Sequence, residues 1–213
     1  MAPPDLADTT IFPTFADCPE PSPSSPTPTQ PWYLLGQITH DMTITKPTLV
    51  LADRSGAPFA LVFDGHGHGH GRLPESAPPE ARGLDLRARG LRRGATAVVP
   101  MAERTPPAAE GGGGRGFVRV PAGAEDVVGA VPGPLERVVD VAGRMRAGDA
   151  GERCGRCGGE GEGGGEGGKV VLRRCTGCGE VRYCSKDCQV EDWNAGGHKG
   201  DCKIFKALND IWK

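Results

Sequence analysis

Eight side chains near the C-terminus have the chemistry and the spacing of metal ligands. They form four pairs, which are Cys154-x2-Cys157, Cys175-x2-Cys178, Cys184-x3-Cys188 and His198-x3-Cys202. Two thiolates separated by two residues converge from one tight turn, and two ligands four positions apart lie on one face of a helix. Structural zinc takes four such ligands in a closed tetrahedron. The eight ligands therefore predict two Zn²⁺ ions, with no coordination position open to water.

The residues around the last two pairs resemble the MYND-type zinc finger. The resemblance is carried by Tyr183-Cys-Ser-Lys-Asp-Cys-Gln189, by Trp193 and by His198-Lys-Gly-Asp-Cys202, and it spans residues 154–202. Members of that family hold two metals in an interleaved fashion. The resemblance therefore implies one zinc on Cys154, Cys157, Cys184 and Cys188, and a second zinc on Cys175, Cys178, His198 and Cys202.

Two features depart from the usual family pattern. The gap of 17 residues after Cys157 is long and rich in Gly and Glu, and four residues separate Trp193 from His198 where the family usually has two. A longer loop is tolerable because the cost of loop closure rises slowly with length. The extra residues after Trp193 leave open how the final helix meets the second site.

Spacing alone also allows a sequential pairing of the ligands. The first four cysteines have the spacing of a GATA-type DNA-binding finger, which would leave the last four ligands for another site. A finger that reads DNA needs basic and aromatic residues to meet phosphates and base edges. The loop between Cys157 and Cys175 offers mainly Gly and Glu, which favours the crossed pairing.

The resemblance also implies a function, because MYND fingers bind short, often proline-containing peptides of other proteins. We assign Gln189 and Trp193 to such a peptide groove, with Tyr183 and Ser185 beside them. Each also has a purely structural interpretation. Tyr183 can be core packing, Ser185 a helix N-cap, and Trp193 a lid on the second zinc.

No catalytic constellation accompanies the ligands. The sequence contains no Walker loop, nucleophile elbow or dinucleotide fingerprint, and nothing in it resembles the methyltransferase domain of some MYND proteins. Closed zinc sites leave no position to activate water. We therefore expect a protein that is not an enzyme but a non-catalytic adaptor, which acts through protein–protein interaction.

Charge favours protein over nucleic acid as the partner. The chain has a net charge of −2, and the segment from Cys154 to Lys213 carries ten Lys and Arg against nine Asp and Glu. Bound zinc–thiolate centres bring that segment to about −2, which is unfavourable for binding phosphates. The alternative is a transcriptional regulator that contacts nucleic acid through its N-terminal domain or through five arginines, which are Arg82, Arg87, Arg89, Arg92 and Arg93.

The rest of the chain predicts a mainly β protein attached to this small zinc module. Residues 1–30 form an acidic, Pro/Ser-rich arm that we expect to be disordered. Residues 31–146 predict a five-stranded barrel, weakly resembling the oligonucleotide/oligosaccharide-binding (OB) type, with Gly/Pro-rich loop insertions. Residues 147–153 are a linker, 154–202 the finger and 203–213 a C-terminal helix.

One further helix is predicted at the end of the barrel segment. Pro134 suits the first position of a helix, and the residues that follow it include apolar side chains at helical spacing. They are Leu135, Val138, Val139, Ala142 and Met145. We expect this face to pack on the barrel.

Two remaining features bear on location and on a possible third metal site. Neither a secretion signal nor an apolar run of the roughly 18 residues that cross a bilayer is present, so we expect an intracellular protein, nuclear or cytoplasmic. His66, His68 and His70 alternate with glycine. Ordering so flexible a loop costs too much entropy for a dedicated metal site, and we interpret it as low complexity.

Overall fold

The computed structural model describes residues 3–22, 30–44, 46–64, 84–107, 116–148, 152–160 and 171–213. The three histidines of residues 66–70, Arg82 and most of the Gly/Glu-rich loop after Cys157 lie outside the described residues. The chain divides into two units. Ala7–Glu136 form a sheet unit, and Arg137–Lys213, together with the described residues before Ala7, form a C-terminal unit.

A mixed sheet of seven strands forms the sheet unit. Its order is β5-β6-β3-β2-β1-β4-β7, and β3 and β6 are parallel while the other neighbours are antiparallel. The strands are β1 (Tyr33–Asp41), β2 (Thr48–Ala52), β3 (Pro58–Phe63), β4 (Thr96–Pro100), β5 (Arg104–Thr105), β6 (Phe117–Val120) and β7 (Gly129–Val131).

The prediction of a five-stranded barrel is corrected by this topology. Strands at all five predicted positions are present, but β5 and β7 add two more. In the described part of the chain these two strands are the edges of one open sheet and do not pair with each other. β5 is only two residues long, so it contains no alternating pattern that a sequence could reveal.

The core of the sheet unit follows from the alternation of side chains along its strands. Successive residues of a strand point to opposite faces, so Phe59, Leu61 and Phe63 of β3 share one face, and all three are fully buried. Gly36 of β1 packs directly against this cluster. A Cβ atom there would lie 2.8 Å from the Phe59 ring and 2.9 Å from Leu51, so the close packing requires glycine.

Residues 3–22 differ from the expected disordered arm, whereas residues 23–29 of its Pro/Ser-rich tract lie outside the described residues. Phe15 is buried and stacks on Phe59, with ring centroids 5.0 Å apart and planes within 3°. Its backbone N–H donates to the buried Asp53 carboxylate at 2.7 Å, and Cys18 is buried in the same core. The segment cannot bury enough surface by itself, but it completes the apolar face of the sheet.

The C-terminal unit consists mainly of helices and one short hairpin. Helix α1 (Leu135–Ala147) enters it from Arg137 onward, and Val138, Val141 and Ala142 are buried. The remaining elements are β8 (Arg173–Arg174), β9 (Arg182–Tyr183), α2 (Lys186–Glu191), a π-helical turn (Asp192–Gly196) and α3 (His198–Ile211).

Most of α1 groups with the C-terminal unit. The C-terminal helix, expected over residues 203–213, has different bounds. The C-terminal helix begins at His198, because the last two metal ligands occupy its first two turns. No described helix is long and apolar enough to cross a membrane.

Candidate metal centre

The first ligand tetrad joins the first and third pairs of the sequence. The sulfurs of Cys154, Cys157, Cys184 and Cys188 all lie within 4.8 Å of one another. The Sγ atoms of Cys157 and Cys184 are 3.6 Å apart, and those of Cys184 and Cys188 are 3.5 Å apart. Two turns distant in sequence therefore supply one site.

Local structure explains how these four thiols converge. A parallel β-bridge aligns Cys154 with Arg182, which places the first cysteine turn beside the end of β9. Cys184 follows β9, and Cys188 lies in the first turn of α2. Ser185 caps that helix, since its hydroxyl accepts a hydrogen bond from the Cys188 N–H at 3.1 Å.

The second tetrad joins the second and fourth pairs. It contains Cys175 and Cys178 from the hairpin turn, and His198 and Cys202 from α3, again within 4.8 Å of one another. The His198 Nε2 atom lies 3.3 Å from the Cys175 sulfur and 3.8 Å from the Cys178 sulfur. The sulfurs of Cys175 and Cys202 are 3.9 Å apart.

The donor atoms of both tetrads fit tetrahedral zinc. Zn–S bonds of about 2.3 Å place tetrahedral sulfurs about 3.8 Å apart. The close sulfur pairs are separated by 3.5 to 3.9 Å. Thiolate and imidazole are also the ligands that structural zinc prefers. Bound zinc would link the turns, the hairpin and both helices.

Comparison with known proteins identifies this segment. The family model of the MYND finger matches residues 152–202. This segment is a MYND finger. Its two tetrads correspond to two zinc ions, as the ligand count predicts.

Several curated proteins match the chain over short segments of about the same length. Ubiquitin carboxyl-terminal hydrolase 19 of Arabidopsis thaliana is 48% identical over 42 residues, which are 20% of this chain and 6% of that protein. SET domain-containing protein 14 of Caenorhabditis elegans is 40% identical over 40 residues, 19% of this chain and 9% of that protein.

A third relative extends the range of proteins that share such a segment. Tudor domain-containing protein 1 of Oryzias latipes is 50% identical over 38 residues, 18% of this chain and 3% of that protein. The chain thus spans less than a tenth of the length of each of these three relatives. No solved structure matches the chain.

The thiols of the first site differ strongly in acidity. Burial acts to raise the pKa of Cys154, but hydrogen bonds from the backbone N–H groups of Cys157, Cys184 and Arg156 lower it to about 6. Hydrogen bonds among the thiols, first with Cys188, raise the pKa of Cys184 to about 12. In the folded finger Cys154 is therefore the more acidic of these two thiols, and Cys184 must lose its proton to zinc.

Two ligands of the second site also have pKa values shifted from their ordinary values. Burial, together with the charges of Cys178 and Cys175, raises the pKa of Cys202 to about 12. Burial lowers the pKa of His198, which keeps its imidazole neutral and able to bind metal.

These acidities predict that zinc affinity at both sites rises with pH. Zinc displaces at least one proton per site, from Cys184 or Cys202, so affinity increases by about tenfold or more per pH unit and falls on acidification. Competition of the full chain with a zinc chelator between pH 6.5 and 8 measures this slope. A slope of zero would contradict the assignment of these thiols as ligands.

Tyr183 does not line an exposed groove. Its side chain is only 2% exposed, and its hydroxyl donates to the buried carboxylate of Asp192 at 2.6 Å. Its ring meets the edge of His198 at 5.8 Å. Burial raises the pKa of Tyr183, followed by the hydrogen bond with Asp192. Tyr183 is therefore core packing of the finger, which corrects its assignment to the peptide groove.

Trp193 is shared between the second site and the surface. Its ring contacts His198 edge-on at 6.0 Å, while 37% of the residue remains exposed. Gln189 is half-buried in α2, and its neighbour Val190 is 46% exposed. Ser185 is exposed, but its hydroxyl is engaged as the helix cap.

The extra residues after Trp193 are accommodated by a change in helix geometry. Asp192–Gly196 adopt a π-helical turn, and Gly197 follows with a φ of 89°, a conformation that favours glycine. A side chain at Gly196 would collide with the Asp192 carboxylate. These two glycines therefore let α3 begin at His198 with its imidazole in the second tetrad.

Sequence reasoning missed a buried carboxylate that pairs with two half-exposed arginines beside the second site. Asp201 is 4% exposed and lies between two arginines of α1. Arg137 donates to both carboxylate oxygens at 2.8 Å, and Arg144 donates to Oδ2 at 2.5 Å. The Arg144 guanidinium also lies over the Phe205 ring at 5.7 Å. The only sequence signal was an aspartate among the buried positions of a helix.

The arginine stretch of the sheet unit shows no comparable organisation. Arg87, Arg89, Arg92 and Arg93 are exposed in turns between β3 and β4. Arg89 pairs with Asp126 at 2.5 Å. Cys18 is likewise no ligand, because it is buried in the sheet core, and burial together with Asp17 raises the pKa of its thiol to about 12.

Proposed function

We propose that this protein is a non-catalytic adaptor whose MYND finger binds short peptide segments of other proteins. The finger is a zinc-binding module of a protein-interaction family. The observation that carries the proposal is the exposed apolar surface formed by Val190 and Trp193 at α2 and the π-helical turn. Large side chains that remain exposed on a rigid element are typical of docking sites.

The position of this surface supports peptide binding. Cys188 of the first tetrad lies two residues before Val190, and Trp193 contacts His198 of the second tetrad. Zinc on both sides holds the surface in one conformation, which lowers the entropic cost of binding. Gln189 adds an amide that can donate to and accept from an extended backbone.

The proposal of a non-enzyme rests on the donor sets. Each tetrad already contains four ligands, so a structural zinc there has no position for water or substrate. The matched relatives include a hydrolase and a SET domain protein, but the match covers less than a tenth of each. The names of these relatives are therefore no evidence that this chain has their activities.

Replacing Trp193 with alanine is expected to weaken peptide binding by tenfold or more, on the order of a hot-spot loss. The probe is the strongest binder from an array of proline-containing decapeptides, selected on the zinc-loaded full chain. Affinity is then measured by isothermal titration of the selected peptide into both proteins.

Two controls make this result interpretable. Met42→Ala removes a side chain that is 49% exposed in the sheet unit, and it should leave the affinity unchanged. Zinc content must stay at two per chain in Trp193→Ala, because the indole contacts His198. Equal affinity of Trp193→Ala and the unmodified protein would remove this surface from the proposed function.

A further inference from the structure

We propose that the hairpin β8–β9 binds the carboxylates of acidic peptides through the arginine pair Arg174 and Arg182. This inference rests on the proposed function as a peptide-binding adaptor, and it names a charge preference that the apolar surface does not provide. The two arginines are direct cross-strand partners. Like charges placed opposite each other in a sheet are destabilising.

The alternation of the hairpin determines where this pair points. Tyr183 of β9 is buried against the finger core, so its neighbour Arg182 must face the opposite side. Arg174 is paired with Arg182 and lies on that same outward face, whereas Arg173 is paired with Tyr183 on the other face. This face of the hairpin therefore carries two arginines, of which Arg174 is exposed and Arg182 half-buried, while Arg173 is exposed on the other face.

The arginine pair has no counter-charge among the described residues. Neither guanidinium forms an ion pair there, and Arg174 contacts only the carbonyl of Gly179 at 3.3 Å. Glu180, the carboxylate within the hairpin, accepts instead from Asn209 at 2.9 Å. Five other arginines of the C-terminal unit do contact carboxylates. They are Arg137, Arg144, Arg146, Arg153 and Arg156.

Two neighbouring guanidinium groups suit a particular kind of ligand. Each presents a planar fork that can bind a carboxylate with two parallel hydrogen bonds. The hairpin is fixed at both ends by zinc ligands, Cys175 directly after β8 and Cys184 directly after β9, so the pair is held in place. The site therefore fits adjacent Glu or Asp side chains of an extended peptide.

An acidic peptide fits the site better than a nucleic acid does. The zinc-loaded segment from Cys154 to Lys213 carries a charge of about −2, which opposes the approach of a long polyanion. A short acidic stretch needs only the local positive charge of the pair. Single-stranded nucleic acids also rely on aromatic side chains on which their bases stack, and an acidic peptide does not need such side chains.

The test uses the zinc-loaded full chain and a labelled hexaglutamate peptide. We expect the side-chain Nε–Hε signals of Arg174 and Arg182 to shift in NMR titration. Arg174→Gln/Arg182→Gln should weaken binding roughly five- to tenfold, as expected for charge-assisted hydrogen bonds at a solvent-exposed site. Arg173→Gln is the matched control, and it should retain most of the affinity because it faces the other side.

Three outcomes would overturn the proposal. Equal losses in Arg173→Gln and in the double variant would indicate non-specific charge attraction. Tighter binding of a twelve-nucleotide single strand than of hexaglutamate would indicate a nucleic-acid surface. Loss of zinc from the double variant would show that the arginines stabilise the thiolates instead.

The result is separable from that of the apolar surface. Hexaglutamate has no large apolar side chain, so Trp193→Ala should leave its affinity unchanged. If the proline-containing peptide fails to bind while hexaglutamate binds through the arginine pair, the apolar docking surface fails alone. The reverse result removes only the arginine pair.

Discussion

Chelation of zinc is expected to unfold residues 154–202 while the sheet unit stays folded. The described part of this segment has two strands of two residues each, the short helix α2, the π-helical turn and the start of α3. Apart from the ligands, its buried apolar side chains are Val181 and Tyr183. Structural zinc in finger peptides contributes about 10–16 kcal/mol at neutral pH. The net stability of a whole domain is about 5–15 kcal/mol. Without metal, the finger lacks the apolar core to replace that contribution.

Amide NMR spectra of the full chain before and after chelation measure this loss. Signals of residues 171–202 should collapse to positions typical of unfolded chain, while those of β1–β4 remain dispersed. The sheet unit supplies its own core, with Phe59, Leu61 and Phe63 fully buried and no member of either tetrad. Finger signals that persist after zinc is removed would mean that zinc does not hold this fold.

A matched pair of cysteine variants tests the same claim without chelator. Cys175→Ala removes a ligand and should reduce the zinc content from two toward one. Cys18→Ala removes a buried thiol of the sheet core and should leave two zinc ions bound. Identical zinc contents in the two variants would show that Cys175 does not bind zinc.

Removal of both arginines around Asp201 is expected to cost about 3–5 kcal/mol, the usual consequence of leaving a buried charge without its partner. Asp201 is 4% exposed, and its carboxylate oxygens accept from Arg137 and Arg144. The variant Arg137→Met/Arg144→Met keeps the aliphatic stems and the packing over Phe205 but removes both charges. The carboxylate is then buried with neither of these arginine partners.

Hydrogen exchange of the α3 amides in the zinc-loaded full chain measures this loss. The double variant should exchange more than about a hundredfold faster. Arg146→Met is a control on the same helix. Its ion pair with Asp5, 4.0 Å long and half-exposed, is the kind that contributes less than about 1 kcal/mol.

Removing the charge of Asp201 should cost less stability than removing the two arginines. In Asp201→Asn the two guanidinium groups keep their ion pairs with Asp140, and their side chains are already 44% exposed and can turn to water. Adding Asp201→Asn to the double arginine variant should restore part of its stability, because it removes the isolated charge. A double variant as stable as the unmodified protein would show that the cluster contributes nothing to the fold.

The ligands of the candidate site could be predicted from the sequence because the members of each pair lie close together along the chain. Each pair of ligands lies within one turn or one helical repeat, so residue type and spacing specify both the metal and the number of ions. The helix cap at Ser185 and the helix behind Pro134 are equally local, since each depends on residues a few positions apart.

The burial of individual side chains could not be predicted from local spacing in this way. Tyr183 and Trp193 are both aromatic residues of the finger motif, yet one is in the core and the other is partly exposed. Their difference depends on Asp192, which accepts the Tyr183 hydroxyl from nine residues away, and on His198, whose ring contacts both aromatic residues. Asp201 is similar, because its partners precede it by 57 and 64 residues.

The sequence by itself determined that the C-terminal segment binds two zinc ions, since covalent spacing places each ligand pair before any tertiary contact exists. Only the tertiary structure decided that Phe15 and Cys18 complete the core of an open seven-stranded sheet, and that Asp201 pairs with Arg137 and Arg144. These features depend on contacts between residues distant along the chain, and the net gain from burying such surfaces cannot be judged until the partner surface is known.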